Sequence, residues 1–137
     1  MPSFPRGNDF PNEGFVQKAI EAYFTEQGFT LLDEGYTDLA CVRPQTGERW
    51  VVEAKGHSKA LNVDFNTCLG QLLKRMHDDE SGRFGLALPD IPQYHRQIGL
   101  ISRRVRHALN LHWILVAEDG RVVLYAPGDE LAHHASS

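Results

Sequence analysis

The sequence predicts one α/β domain with a mixed β-sheet and helices on both of its faces. The length of 137 residues suits a single hydrophobic core. An apolar hairpin pattern stands in the first half of the chain. The second half alternates helical and strand patterns, which favours parallel strands joined by helices. The predicted order of elements is α-β-β-β-α-β-α-β-β.

The first elements are a helix and a short strand. Residues 12–27 carry apolar side chains at helical spacing, and Gly28 fits the end of that helix. A strand is predicted at 29–34. Residues 1–11 contain three prolines and no periodicity, so we expect an extended arm.

Next come a hairpin, two helix–strand units and a closing pair of strands. The hairpin is predicted because two apolar stretches flank the turn-forming sequence PQTGE. The predicted boundaries are strands at 36–43 and 49–55, a helix ending near residue 77, a polar connection over 77–83, a doubly buried strand at 84–89, a helix over 91–109, two strands within 112–127 and a tail over 128–137.

The hairpin register decides which side chains meet at its end. A loop of four residues, 44–47, would place Asp38 opposite Glu53, whereas a loop of two would place Asp38 opposite Lys55. Both registers put the three side chains on one face. A three-residue loop would move Asp38 to the other face.

The stretch RWVVEAK ends in a carboxylate and an ammonium that project from one face of a strand. Two close carboxylates, Asp38 and Glu53, repel each other unless a cation lies between them. Mg²⁺ fits such a pair, with the Ala54 carbonyl and water as further ligands. Lys55 could then stabilise charge on a phosphate. A structural ion-pair cluster is the alternative.

The sequence TD at 37–38, followed by VEAK at 52–55, resembles the PD-(D/E)xK (restriction-endonuclease-like) nuclease superfamily. In element order the resemblance covers residues 12 to 127. It implies Asp38 and Glu53 as metal ligands, Lys55 as the catalytic lysine, and Mg²⁺ or Mn²⁺ as cofactor. Thr37 stands where many members have proline, a departure that we interpret as minor because the acid carries the chemistry.

Two further residues fit positions of this superfamily. Glu13 lies on the apolar face of the first helix and could be a third metal ligand, or an acid favoured by the helix dipole. Gln71, in the helix after the lysine strand, could be catalytic or an ordinary boundary residue. Weaker candidates are Gln17, Glu21, His57 and Asp64.

A local basic surface could contact nucleic acid, although the net charge of −4 argues against binding by the whole surface. On the predicted helix over 91–109, Arg96, Arg103 and His107 form one stripe. A plain solvated helix face is the alternative. The predicted nucleic-acid-binding residues are Lys59, Lys74, Arg75, Arg96 and Arg103.

The sequence therefore predicts a Mg²⁺-dependent nuclease, an endonuclease acting on DNA. The alternative is a catalytically inactive nucleic-acid-binding or assembly module on the same fold. Cutting both strands of a duplex would favour a homodimer or larger complex. No apolar run is long enough for a membrane span, and the first residues lack a secretion-signal pattern, so we expect a cytoplasmic protein. Cys41 and Cys68 are predicted to be buried hydrophobes.

Overall fold

The computed structural model describes residues 9–33, 35, 37–76 and 82–131 of the chain. These residues form helices and strands in the order α-β-β-β-α-β-α-α-β-β. The helices are α1 (Glu13–Glu26), α2 (Leu61–Leu73), α3 (Pro92–Gly99) and α4 (Arg103–Leu109). The strands are β1 (Thr30–Leu32), β2 (Leu39–Val42), β3 (Arg49–Ala54), β4 (Arg83–Pro89), β5 (Leu111–Val116) and β6 (Val122–Tyr125).

The strands form one six-stranded sheet whose spatial order follows the chain, from β1 to β6. Strands β1, β2 and β3 are antiparallel neighbours, as are β5 and β6. Strands β3, β4 and β5 run parallel, because α2 and then α3 with α4 carry the chain back between them. The predicted mixed sheet is confirmed.

Helices cover both faces of the sheet, as predicted. On one face, the apolar stripe of α1 packs against side chains of β2 and β3, with Val16, Ile20 and Phe24 buried. On the other face, α2 and α3 pack against β4 and β5 around Phe65 and Trp113. Strand β4 is buried at every residue after its first, which confirms the prediction that both of its faces are buried.

The predicted third helix is wrong, because the chain forms two helices there. Ser102 lies between α3 and α4, and its side chain accepts a hydrogen bond from the Val105 N–H at 3.2 Å. This is an N-cap, which starts a new helix. The predicted basic stripe of Arg96, Arg103 and His107 is therefore not a face of one helix.

Both cysteines are free and buried, as predicted. Cys41 lies on β2, within the core beneath α1. Cys68 lies on α2, within the core of the opposite face. The two thiols are thus on opposite sides of the sheet, which explains why no disulfide joins them.

Several predicted segments lie partly outside the described residues. The positions concerned are 1–8 of the arm, 34 and 36 of the two predicted strands, 77–81 of the polar connection and 132–137 of the tail. In the part of the chain that is described, no helix has the length and apolar character needed to cross a membrane.

Gly56, which follows β3, packs directly against the start of α1. A Cβ atom at this position would lie only 2.2 Å from the backbone nitrogen of Glu13. The His57 N–H donates to the Pro11 carbonyl at 2.9 Å, and the Tyr94 hydroxyl donates to the Gly56 carbonyl at 2.6 Å. Only glycine fits this contact, which fixes the start of α1 at the end of β3.

We expect Gly56→Ala to destabilise the fold, because the added methyl group would overlap the backbone of α1. The expected loss in the free energy of unfolding is about 2–3 kcal/mol. Urea denaturation followed by circular dichroism measures it.

Gly70→Ala is the matched control. A Cβ at Gly70 would meet nothing within 4 Å, and alanine favours a helix over glycine, so this variant should gain up to ~1 kcal/mol. If Gly56→Ala were as stable as the wild type, the proposed close contact between β3 and α1 would be wrong.

Candidate functional site

The hairpin of β2 and β3 has the register that brings Asp38 opposite Glu53. Leu39 pairs with Val52, so the next pair outward is Asp38 with Glu53. The loop is the four-residue one, 44–47, since Arg43 and Glu48 are hydrogen-bonded across it at 2.8 Å. Of the two registers that the sequence left open, the structure has this one.

The Asp38 side chain ends the β2–β3 ladder. Hydrogen-bonded pairs alternate along an antiparallel ladder, so a continued ladder would join the Ala54 N–H to the Thr37 carbonyl. In the structure this N–H donates to Oδ2 of Asp38 at 2.8 Å. The carboxylate therefore takes the place of a backbone acceptor and is held against the end of β3.

Glu53 is buried behind Asp38, with an exposed fraction of only 3%. Its Oε2 accepts a hydrogen bond from the Thr37 hydroxyl at 3.0 Å and another from Nε of Arg75 at 3.3 Å. Asp38 is also the cross-strand neighbour of Glu53, so the two carboxyl groups lie side by side on one face of the sheet. Asp38 itself is exposed, so the pair of acids opens to solvent on its Asp38 side.

The pKa of Glu53 is raised to about 7, from an ordinary value of 4.5, mainly because burial penalises the charged form. The neighbouring Asp38 carboxylate contributes to this increase, whereas Thr37 and Arg75 act in the opposite direction. Glu53 therefore keeps its proton up to about pH 7, well above the pH at which an ordinary glutamate ionises.

Lys55 lies beyond Glu53 at the rim of the sheet. Its Nζ is 3.6 Å from Oε1 of Glu13, and both side chains are partly exposed. Glu13 thus forms an ion pair with the lysine in this structure. Across the described ranges, no group of three or more His, Cys, Asp and Glu side chains is arranged to hold a metal ion. A metal-binding role for Glu13 stays a prediction.

The buried thiol of Cys68 on α2 is influenced by the charges of the candidate residues. Its pKa is raised to about 12, mainly by burial, and the charges of Glu53 and Asp38 contribute to the increase. The charges of Lys55 and Glu13 act on the same thiol, with opposite signs.

The other predicted site residues differ in their exposure and in the ion pairs that they form. Gln71 is exposed on α2, one turn before Arg75, and its role stays a prediction. Arg75 contacts Glu53 as an ion pair. Arg103 pairs with Glu130. The remaining basic residues of the predicted nucleic-acid surface are exposed: Lys59, Lys74 and Arg96.

Sequence reasoning missed three contributions to the site. The Thr37 hydroxyl, treated as a minor departure from proline, contacts Glu53. Arg75 reaches the same carboxylate from the residues after α2. Gln17, ranked as a weak candidate, donates to the Asp38 backbone carbonyl at 2.8 Å. For Thr37, the signal available in the sequence was its place directly before Asp38.

We expect the stability of the protein to fall as the pH rises through the Glu53 titration. The pKa of Glu53 is higher in the folded state than its ordinary value, so the folded state binds more protons between about pH 4.5 and 7. Glu53→Gln, which stays neutral, should therefore gain stability over the wild type as the pH rises from 4.5 to 8. Thermal melts across this range measure the difference.

Glu26→Gln, which removes an exposed carboxylate at the end of α1, controls for the general effect of losing one negative charge. A stability difference between Glu53→Gln and the wild type that is the same at every pH would contradict the raised pKa.

No protein-family model and no curated protein matches the chain. Among solved structures, the fold is similar to that of an XisH family protein from Nostoc punctiforme, with a TM-score of 0.57 and 15% sequence identity. The match covers 81% of this chain and 98% of that protein. At this identity the similarity concerns the fold and not the role of any residue. The chain therefore shares its mixed α/β architecture with an XisH family protein.

Proposed function

We propose that this chain is a metal-dependent nuclease that hydrolyses phosphodiester bonds in DNA. The observation that carries the proposal is the cross-strand pair of Asp38 and Glu53, in which the Ala54 N–H holds the Asp38 carboxylate against the end of β3. Lys55 follows two residues later, so it projects from the same face of the sheet. This is the arrangement that the resemblance to the PD-(D/E)xK nucleases implies.

The two carboxyl groups have the chemistry of a site for Mg²⁺ or Mn²⁺. They are cross-strand neighbours, and a divalent cation between them would offset their mutual repulsion. Mg²⁺ is often held by one or two carboxylates, with water and substrate phosphate completing its ligands. Such a site agrees with the lack of a three-ligand group among the described residues. The Ala54 carbonyl is a further predicted ligand.

Each residue of the cluster has a separate task in this proposal. Asp38 and Glu53 would hold the cation, which supplies charge for the phosphodiester and makes a nearby water more acidic. Lys55 would bring positive charge to the phosphate as negative charge develops on it. Glu13 keeps the ammonium group in place, since its carboxylate lies 3.6 Å from Nζ.

The exposed lysines on either side of α2 support a nucleic-acid substrate. Lys59 lies between β3 and α2, and Lys74 follows the end of α2. Both could contact phosphates beside the cluster, and each such contact would make affinity depend on salt. This surface stays a prediction.

We expect Lys55→Ala and Asp38→Asn to lose Mg²⁺-dependent nicking of supercoiled plasmid DNA. The loss for Lys55→Ala should be about 100-fold or more, the cost of removing one group that stabilises transition-state charge. Asp38→Asn keeps an oxygen that can accept the Ala54 N–H, so the hairpin end should remain folded. Gel analysis of nicked product with Mg²⁺, with Mn²⁺ and with chelator measures the rates.

Lys18→Ala is the matched control, because it removes one exposed lysine from the middle of α1. It should cut at the wild-type rate. If Lys55→Ala and Asp38→Asn also cut at the wild-type rate, the activity would come from elsewhere and the assignment of the site would be wrong.

The second candidate function is a nucleic-acid-binding or assembly module without catalysis. The ion pair between Arg75 and Glu53 favours it, because the guanidinium already supplies a positive charge to the buried carboxylate. Calorimetric titration with Mn²⁺ separates the two functions. A nuclease site should take up the ion and lose it in Glu53→Gln, whereas a module of this kind should release no binding heat in either protein.

A further inference from the structure

The Thr37 hydroxyl lies between two acceptors and has one proton to donate. It is 3.0 Å from Oε2 of Glu53 and 3.2 Å from the backbone carbonyl of Val52. A carboxylate is a stronger acceptor than a neutral carbonyl. The ionised Glu53 therefore takes the hydrogen bond.

The same oxygen of Glu53 is held from a second direction. Nε of Arg75 donates to Oε2 at 3.3 Å, from the chain that follows α2. Thr37 approaches from the bend before β2. The last torsion of a glutamate side chain has a broad energy minimum, so the carboxylate plane is set by its contacts and not by its own rotamer preference. Two donors on Oε2 therefore fix that plane.

We propose that Thr37 is a positioning residue that holds Oε2 of Glu53, so that the other oxygen, Oε1, is left for a divalent cation shared with Asp38. The proposal rests on the nuclease function proposed above and assigns a task to a residue outside the predicted site. Contacts behind a metal ligand orient that ligand and tune its affinity for the ion.

The position of Thr37 gives the hydroxyl a role that proline could not have. The resemblance implies proline directly before the metal-binding acid in many members of the superfamily, and proline has no donor group. In this chain the residue at that place donates to the second acid. Thr37 thereby links the bend that carries Asp38 to the side chain of Glu53, and the two acids are set relative to each other.

Thr37 also differs from Arg75 in how it can act. Arg75 brings a positive charge that opposes the uptake of a cation, so removing it would change both orientation and charge. The threonine hydroxyl is neutral, so its removal changes the orientation of Glu53 while the net charge of the site stays the same. Substitutions at Thr37 therefore isolate the positioning effect.

The test is calorimetric titration of the full-length protein with Mn²⁺. Thr37→Val keeps the shape of the side chain and removes the hydroxyl, so its Kd for Mn²⁺ should rise about 10-fold or more. Thr37→Ser restores the hydroxyl and should bind within about twofold of the wild type, since it makes the same hydrogen bond. Thr37→Ala serves as a second variant without the hydroxyl in case the valine protein does not fold.

Thr46→Val is the matched control, because its hydroxyl also makes one local hydrogen bond. It accepts from the Glu48 N–H at 3.2 Å within the hairpin loop, at the other end of β3. Its Kd for Mn²⁺ should equal that of the wild type. Thermal melts of all variants show whether each protein is folded during the titration.

The outcomes separate the two proposals. Wild-type affinity in the folded Thr37→Val or Thr37→Ala protein would overturn the role of Thr37 and leave the nuclease site standing. Equal weakening in Thr37→Ser and Thr37→Val would overturn it as well, because the hydroxyl would not be the cause. Failure of the wild-type protein to bind Mn²⁺ would overturn the nuclease function, and the positioning role with it.

Discussion

The hydrogen bond from the Ala54 N–H to the Asp38 carboxylate determines how the cluster is built. It ends the ladder between β2 and β3 with a side chain where a backbone carbonyl would otherwise stand. Asp38 is thereby held against β3, the strand that carries Glu53. Without this contact, the bend before β2 would not be fixed relative to Glu53, and the two carboxylates would not be held together.

Placing Glu53 beside Asp38 is unfavourable and needs compensation. A buried carboxylate loses its hydration, and a second carboxylate next to it adds repulsion. The structure offers three kinds of relief: a proton on Glu53 at pH values below about 7, the Thr37 hydroxyl and the Arg75 guanidinium. A divalent cation would be a fourth kind. The proton and the cation compete for the same oxygens, so metal uptake should weaken as the pH falls below about 7.

Much of this arrangement could be predicted from local patterns in the sequence. The apolar stripe of α1 and the apolar run of β4 predict the burial of these elements. Both hairpin registers that the sequence left open put Asp38 on the same face as Glu53, and the structure has one of them. The break between α3 and α4 was missed because apolar spacing continues across it, while Ser102 gives the only capping signal.

Contacts between distant elements could not be predicted in this way. Arg75 contacts Glu53 across 22 positions of the chain. The spacing of apolar residues along a helix does not predict how far a side chain beyond its end extends. The fit of Gly56 against α1 likewise depends on how two elements cross, although the glycine itself is visible in the sequence. Sequence patterns assign residues to faces, whereas the packing of whole elements decides which faces meet.

The cluster has two parts that are held by different means. Glu53 is buried and is held by hydrogen bonds from neighbouring side chains. Lys55 is held by a partly exposed ion pair. Gly56 allows the end of β3 to pack against the first turn of α1, and Glu13 therefore lies beside the Lys55 ammonium group. In the proposed nuclease, the inner part would hold an ion in a set geometry. The outer part is partly exposed, so Lys55 would be free to exchange its contact with Glu13 for one with a phosphate of the proposed substrate.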